Sequence, residues 1–173
     1  MELSLRPERP EDDEFLFMLY AETRAAEMSL ATWTDEQKDA FLRNQFQMQR
    51  MHYRRYYAAA QFDVIEDQGR PVGRLYVHRG ADEIRLMDIS LIPEYRNRGM
   101  GGALVRGLLE EAEASSKTLT LYVEADNPAR HLYTRLGFRP IGEHVPYLFM
   151  EWRPASTALR AAALEHQPSD TSE

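Results

Sequence analysis

The chain has 173 residues, which is enough for one domain with a hydrophobic core but short for two. Hydrophobic residues make up 43% of it and charged residues 28%, proportions that are ordinary for a globular protein. Lys and Arg number 21 against 28 Asp and Glu, and the net charge of −7 argues against nucleic acid as a partner. Because the chain has no cysteine, disulfides, thiolate metal sites and a cysteine nucleophile are excluded. Neither a signal-peptide pattern nor a long apolar run occurs, so we expect a cytoplasmic protein without a membrane partner.

The N-terminal third is predicted to be mostly helical. Alternating apolar residues over Glu2–Arg6 predict a short strand first. An acidic start followed by apolar residues at helical spacing then predicts one helix from residue 11 to about residue 27. A second helix is predicted over Glu36–Tyr53, with Thr34 or Asp35 as its N-cap.

The second helix ends in a stretch rich in methionine and aromatic side chains. Its members are Met48, Met51, His52, Tyr53, Tyr56 and Tyr57. Two interpretations stay open: the stretch covers the sheet as an apolar helix face, or it forms an adaptable wall of an acceptor pocket. A third hypothesis is that the acidic and aromatic helices form the surface of a homodimer.

The rest of the chain is predicted to alternate between strands and helices. Six strands are predicted, over Phe62–Ile65, Val72–His78, Glu83–Ile92, Thr118–Glu124, Phe138–Ile141 and Tyr147–Trp152. Tight turns join the first three as an antiparallel meander, and the last two form a closing antiparallel pair. The strand at Thr118 follows a helix that ends near Ser115, so we expect it to lie parallel to the strand at Glu83 through a right-handed crossover. The pattern fades from Pro154, and we expect residues 154–173 to be a partly disordered tail.

A short basic segment with three glycines in four positions precedes that helix. Gly99 and Gly101 allow positive φ and a close approach of the backbone, and Arg96 and Arg98 add positive charge at the same place. The helix that follows exposes unpaired N–H groups at its N-terminus, so the segment predicts a phosphate-bearing ligand. Gly107 interrupts the helix, and we attribute this glycine to close packing against the sheet.

The spacing of the glycines excludes two common phosphate-binding motifs. A P-loop needs Lys followed by Ser or Thr after its last glycine, whereas Gly101 is followed by glycine and alanine. The dinucleotide fingerprint G-x-G-x-x-G, begun at Gly99, fails at Leu104. The pattern that fits is R-x-x-G-x-G over residues 96–101.

Two motifs give the chain a resemblance to the GNAT superfamily of N-acetyltransferases. The hexapeptide at 96–101, placed after a strand, resembles the loop with which that superfamily binds the pyrophosphate of acetyl-CoA. The segment Asp126–Phe138 is similar to the superfamily pattern N-x-x-A-x-x-L-Y-x-x-L-G-F. The motifs occur in the right order, and the order of predicted elements fits from Leu3 to Trp152.

The resemblance implies a fold of the α+β class, an α/β three-layer arrangement. Its central sheet would be mixed and mostly antiparallel, with about six or seven strands and helices on both faces. It also implies one domain over residues 1–153, in which two parallel strands splay apart at the cofactor site. The implied activity is transfer of an acetyl group from acetyl-CoA to a primary amine of a small molecule, peptide or protein. The reaction would proceed by direct attack in a ternary complex, without a metal.

The resemblance also implies which residues contact acetyl-CoA. Backbone groups of Ile89, Ser90 and Leu91 would pair with the pantetheine arm as an added strand. The pyrophosphate would be held by Arg96, Asn97, Arg98, Gly99, Met100, Gly101 and Gly102. An asparagine of the second motif contacts the cofactor in the superfamily. Counting within the motif places Asp126 there, with Asn127 one position later, and we favour Asn127.

Catalysis needs two proton transfers, because an alkyl amine must lose a proton before it attacks and the departing thiolate is better released protonated. By the resemblance, Tyr133 protonates the sulfur; its alternative role is a core tyrosine on an amphipathic helix. Two carboxylates are candidates for the base, Asp88 and Glu124, of which Glu124 ends the parallel strand. Asp88 could instead be a structural hydrogen-bonding partner of Arg or Tyr. In relatives that use a strand glutamate as the base, the matching position is Tyr122. A chain of water molecules is the remaining alternative.

A second function is compatible with the same glycine-rich segment. An acyl-CoA-binding module that senses the cofactor without turnover would need residues 96–102 but would not need Tyr133.

Overall fold

The structure is a computed structural model that describes residues 3–155. Its strands are β1 (Leu3–Pro7), β2 (Gln61–Asp67), β3 (Arg70–Arg79), β4 (Glu83–Leu91), β5 (Thr118–Glu124), β6 (Arg139–His144) and β7 (Tyr147–Trp152). Its α-helices are α1 (Asp13–Thr23), α2 (Ala25–Ser29), α3 (Asp35–Tyr56), α4 (Met100–Ser115) and α5 (Ala129–Arg135). Short 3-10 helices at Pro10–Asp12 and Pro93–Tyr95 precede α1 and α4. The predicted tail at 154–173 lies outside the described residues, apart from its first two.

Within the described residues, seven strands form one sheet in the order β1-β2-β3-β4-β5-β7-β6. The pairs β1–β2, β2–β3, β5–β7 and β6–β7 are antiparallel, whereas β4 and β5 are parallel. The predicted fold class, the mixed and mostly antiparallel sheet and the parallel pair are confirmed. Strands β4 and β5 pair over Glu83–Leu86 and Thr118–Leu121. Both strands continue beyond this pairing, β4 to Leu91 and β5 to Glu124.

The contacts along the chain divide it into two compact units. Among the described residues, the first unit contains residues 3–78 together with Met87–Gly101, and the second contains Arg79–Leu86 together with residues 102–155. Strand β4 and helix α4 each contribute residues to both units.

Helices α1 and α3 share the core of the first unit with β2. Its buried members are Leu16, Phe17, Tyr20, Leu42, Phe46 and Val64. The rings of Phe17 and Phe46 meet edge to face with centroids 5.8 Å apart, a geometry that aromatic pairs favour. Within each helix the buried residues recur at a spacing of three or four, as at Leu16 and Tyr20 in α1 and at Leu42 and Phe46 in α3. This spacing is the pattern from which both helices were predicted.

The prediction of one helix from residue 11 to about residue 27 is wrong, because the chain breaks it into α1 and α2. Arg24 lies at the break with φ −104° and ψ 1°. The Thr23 hydroxyl donates to the Tyr20 carbonyl at 2.6 Å, a local bond that competes with the regular helix ladder. Every residue of α2 is at least partly exposed, although Met28 packs against the core of the first unit, so α2 adds little burial beyond the break.

Helix α3 begins at the predicted cap. Thr34 Oγ1 accepts a hydrogen bond from the Gln37 amide at 3.3 Å, and the Gln37 side chain accepts one from the Thr34 amide at 3.0 Å. Further along, Met48, Met51 and Tyr56 are 55%, 69% and 64% exposed. The sheet-covering interpretation is therefore wrong for these three side chains.

Strand β5 of the second unit has one face that is buried throughout and one face that is buried at Thr120 and exposed at Tyr122. Leu119, Leu121 and Val123 are buried, whereas Tyr122 between them is 43% exposed. This period of two is the alternation from which the strand was predicted.

Helix α4 also buries one stripe, which contains Val105, Leu108 and Ala112. Gly107 lies off this stripe, and a Cβ built there would have no atom within 4 Å. The attribution of Gly107 to close packing is therefore wrong. Among residues 3–155, every helix is too short or too polar to span a bilayer.

Candidate cofactor and catalytic site

The segment between β4 and α4 is folded for close approach by a ligand. Asn97 and Gly99 have φ of 57° and 79°, in the left-handed region, and α4 begins immediately afterwards at Met100. The predicted positive φ is present at Gly99 but not at Gly101, and Asn97 supplies the second left-handed residue. A Cβ built on Gly99 or Gly101 would have no atom within 4 Å, so the space around the loop is open. Backbone N–H groups at left-handed residues and at the start of a helix are typical of anion-binding sites.

The Arg96 side chain interacts with other residues of the chain. Its Nε donates to the Leu91 carbonyl at 2.7 Å, and its Nη1 lies 3.7 Å from Glu22 Oε1. The side chain therefore ties the end of β4 to the loop and to α1. The Leu91 carbonyl, which the resemblance assigns to the pantetheine arm, already has this donor.

Asp88 takes part in a buried ion pair. Arg74 Nη2 donates to Asp88 Oδ2 at 2.6 Å, and Ser90 Oγ donates to Oδ1 at 2.9 Å. The Arg74 side chain is 2% exposed and that of Asp88 is 16% exposed. Burial lowers the pKa of Arg74, but the attraction and hydrogen bond of Asp88 together with the neighbouring Tyr76 and Tyr53 raise it more, so the guanidinium stays charged. Because the Asp88 carboxylate neutralises this cation, its structural role is favoured over the role of a base.

Sequence reasoning did not identify Arg74. The signal was a single charged residue within the apolar run of β3, on a strand next to the one that carries Asp88. Arg74 Nη2 also donates to Gln49 Oε1 of α3 at 3.1 Å, whereas its Nε and Nη1 have no hydrogen-bond partner among residues 3–155. The arginine therefore connects α3 to the central strand.

The face of β5 that carries Tyr122 also carries Thr120, which is buried, and Glu124. Glu124 is half-buried, and within residues 3–155 no side-chain hydrogen bond or ion pair involves its carboxylate. On this face Glu124 lies opposite Tyr147 of β7. An unengaged, half-buried carboxylate remains available to accept a proton.

An arginine–aromatic cluster surrounds Tyr122, which the resemblance matches to a strand position of the base. The Arg85 guanidinium lies 5.4 Å from the Tyr122 ring and 5.3 Å from the Phe149 ring, and the two rings stack at 4.6 Å. Arg85 also donates to Glu83 Oε1 at 2.9 Å and to Thr120 Oγ1 at 3.2 Å. Sequence reasoning missed this cluster, because it depends on the β4–β5 register that places Arg85 beside Thr120.

Helix α5 holds Tyr133 in the interior of the second unit. Tyr133 is 6% exposed, and its ring meets Phe138 edge to face at 5.7 Å. Asn127 Oδ1 accepts a hydrogen bond from the Ala129 amide at 2.9 Å, so Asn127 caps the start of this helix. Asp126 is exposed beside it. Within the described part of the chain, His, Asp and Glu side chains form no group that could hold a metal ion.

A model of the Acetyltransferase (GNAT) family matches residues 18–138, more than half of the chain. The chain therefore belongs to this family, as its two sequence motifs predict.

Individual relatives are distant. A mycothiol acetyltransferase of Frankia casuarinae is 42% identical over 72 residues, which are 39% of this chain and 21% of that protein. The chain thus matches about a fifth of the length of this curated relative.

Two solved structures resemble the whole described fold. The PaiA N-acetyltransferase of Thermoplasma acidophilum, in complex with coenzyme A, has a TM-score of 0.67 and 18% identity, covering 88% of this chain and 99% of that one. The ribosomal-protein-S18-alanine N-acetyltransferase of Escherichia coli has a TM-score of 0.55 and 21% identity, covering 88% and 94%. Because both sequence identities are low, these two structures show only that the fold is shared.

Proposed function

We propose that this chain is an acetyl-CoA-dependent N-acetyltransferase that acts on a primary amine by direct attack in a ternary complex. Residues 1–153 would form its single catalytic domain. The observation that carries the proposal is the open loop at which Asn97, Gly99 and the start of α4 present backbone N–H groups. Membership of the family and a solved neighbour that holds coenzyme A support the same cofactor.

The proposed diphosphate site is the stretch from Arg96 to Gly102. Its backbone amides face the anion, and the exposed Arg98 adds charge beside them. Arg96 acts mainly by holding the Leu91 carbonyl, which keeps the end of β4 in place. Backbone groups of Ile89 and Ser90 then pair with the pantetheine arm. The site would need no metal.

Two side chains are proposed to move protons. Glu124 accepts a proton from the acceptor ammonium, and the freed amine attacks the thioester carbonyl. When the carbon–sulfur bond breaks, Tyr133 gives its proton to the departing sulfur, and the tyrosinate takes up the proton that the attacking nitrogen loses. We favour Glu124 over Asp88 as the base, because Arg74 and Ser90 already occupy the Asp88 carboxylate. Asn127 acts by capping the helix that carries Tyr133, and its side-chain amide is proposed to contact the cofactor.

The acceptor is proposed to be a primary amine of a small molecule or a peptide. Similar proteins are named for mycothiol and for an alanine of a ribosomal protein, so both kinds of acceptor belong in a screen. The exposed Met48, Met51 and Tyr56 of α3 would contact this acceptor. A homodimer surface on the same helix is the competing role, and sedimentation at two protein concentrations separates the two. We propose the cytoplasm as the location.

The test is an acceptor screen that follows thiol release from acetyl-CoA. Because the chain has no cysteine, a thiol reagent reads only released coenzyme A, without background from the protein. Turnover with some amine is expected, together with a Glu124→Gln variant that loses the pH dependence of kcat. Coenzyme A binding without turnover on any amine or peptide would instead indicate the sensing module.

The loop assignment has a separate test. Arg98→Glu combined with Gly101→Val should abolish calorimetric binding of coenzyme A, because it reverses a charge and places a side chain over the amides. Unchanged affinity would refute the assignment.

A further inference from the structure

The β2–β3 turn is attached to the loop that precedes α4. Tyr95 Oη donates to Asp67 Oδ2 at 2.8 Å, which joins the 3-10 helix after β4 to the end of β2. Asp67 pairs with Arg70 across the turn, and Gln68 and Gly69 between them have φ of 52° and 79°. The tight turn fixes the backbone from which the Arg70 side chain extends.

Arg70 and Arg98 lie on the two segments that the Tyr95–Asp67 hydrogen bond joins, because Arg70 pairs with Asp67 across the turn and Arg98 follows Tyr95 by three residues. The hydrogen bond to Asp67 raises the pKa of Tyr95, and the charges of Arg70 and Arg98 act in the opposite direction. Both guanidinium groups are therefore within electrostatic range of the Tyr95 hydroxyl. The two residues are exposed, and among residues 3–155 neither forms an ion pair.

Among residues 3–155, the Asp67 carboxylate forms no ion pair with Arg70 or Arg98, so both guanidinium groups keep their hydrogen-bond donors for a ligand. One of its oxygens accepts from Tyr95 and the other is buried, so the carboxylate is turned into the protein. The chain has a net charge of −7, whereas two exposed arginines without an ion pair among residues 3–155 lie beside the proposed diphosphate loop, so this place is locally positive.

We propose that Arg70, together with Arg98, forms a second anion subsite that takes the 3′-phosphate on the ribose of coenzyme A. The inference rests on the proposed function, in which the neighbouring loop holds the diphosphate of the same molecule. A phosphomonoester carries about −1.5 to −2 charges at neutral pH, more than either phosphate of the diphosphate, and guanidinium groups bind it with paired hydrogen bonds. Arg70 thereby distinguishes coenzyme A from nucleotides that have only the diphosphate.

The test compares coenzyme A with dephospho-coenzyme A, which lacks only the 3′-phosphate. By calorimetry at low salt, the unaltered chain should bind coenzyme A more tightly. Arg70→Gln should weaken coenzyme A binding by about fivefold and leave dephospho-coenzyme A within about twofold. Arg70→Lys should keep part of the preference, because it keeps the charge. Arg55→Gln, at an exposed arginine of α3, is the matched control and should change neither affinity.

Two further measurements test the same preference for the 3′-phosphate, one at higher ionic strength and one with a shorter pair of ligands. Raising the ionic strength should reduce the preference for coenzyme A, since the contact is between exposed charges. Adenosine 3′-phosphate 5′-diphosphate against adenosine 5′-diphosphate repeats the comparison without the pantetheine arm, because these two ligands also differ only in the 3′-phosphate. Equal affinities of the unaltered chain for both forms of the cofactor, or an equal loss of both in Arg70→Gln, would overturn the inference and leave the proposed function intact. Absence of any coenzyme A binding by the unaltered chain would overturn both.

Discussion

Arg74 Nη2 lies 2.6 Å from Asp88 Oδ2, in an ion pair that joins two neighbouring strands of the sheet. Only 2% of the arginine side chain is exposed, so its charge depends on the carboxylate for compensation. Ser90 donates to the other oxygen of Asp88, which fixes the orientation of the carboxylate. The pair therefore holds β4 immediately before the residues that are proposed to follow the pantetheine arm.

Asp88→Asn should destabilise the protein by about 3 kcal/mol, because it leaves the Arg74 guanidinium buried without a counter-charge. Urea unfolding measures the loss. The shape of the pH–rate profile of the remaining activity should be unchanged, since Glu124 rather than Asp88 is the proposed base. An altered profile with unchanged stability would assign the base to Asp88.

A double variant is the control for this prediction. Arg74→Met with Asp88→Leu replaces both charges by apolar side chains and should recover most of the stability that Asp88→Asn loses. If the double variant is as unstable as the single one, packing rather than charge explains the loss.

Much of the fold could be predicted from the sequence, because its elements have strong local patterns. The alternation in β5 and the apolar stripe of α4 each depend on residues a few positions apart. The Arg24 break between α1 and α2 was not predicted, because the apolar periodicity continues through it: Ala21 before the break and Met28 after it both pack against the core.

The site could be predicted only where it is a contiguous motif. The glycine-rich loop is visible as a string of residues, although the left-handed conformation of Asn97 is not. The Arg74–Asp88 pair and the Arg85–Tyr122 contact each join residues on different strands. Their partners depend on strand register, which is decided by the packing of the whole sheet rather than by local spacing.

Tyr133→Phe should lower kcat by about a hundredfold while leaving the affinity for coenzyme A unchanged. The substitution removes one oxygen and keeps the ring that packs on Phe138, so the helix should stay in place. Tyr147→Phe, at an exposed tyrosine of β7, is the matched control. Steady-state rates and calorimetry separate the two effects, and equal rates for both variants would remove Tyr133 from the proton path.

Gly99→Ala should destabilise the protein by about 1 kcal/mol and also weaken cofactor binding, because alanine at a φ of 79° is strained and its methyl group faces the open loop. Gly69→Ala is closely matched, since Gly69 has the same φ and also has open space around it. Calorimetry with dephospho-coenzyme A should show a loss for Gly99→Ala and none for Gly69→Ala. Similar losses in both variants would mean that the loop does not contact the ligand.

Stability should fall in acid as Asp12 becomes protonated. Hydrogen bonds from Arg6, at 2.7 and 2.8 Å, lower the pKa of Asp12 more than desolvation raises it. A carboxyl group with a depressed pKa contributes stability that is complete above its unfolded pKa and is lost as the pH falls through its folded pKa. Asp12→Asn should therefore be less stable at pH 7 by about 2 kcal/mol, and the difference should shrink below about pH 4. Urea unfolding across this range measures it, with the exposed Asp126→Asn as the control; a constant difference would contradict the linkage.

Gly73→Ala should destabilise the protein by about 3 kcal/mol, because β3 passes too close to β4 for a side chain at this position. A Cβ there would lie 2.3 Å from the Ser90 carbonyl oxygen and 2.8 Å from Leu91 Cδ2. The backbone oxygen cannot rotate away as a flexible side chain could, so β4 itself must shift. Gly107→Ala is the opposing control: its Cβ meets no atom within 4 Å, and alanine should stabilise α4 by about 0.5–1 kcal/mol. Urea unfolding of the two variants should thus give changes of opposite sign. A tolerated Gly73→Ala would mean that β4 can move at Ser90, the residue whose backbone is proposed to pair with the cofactor.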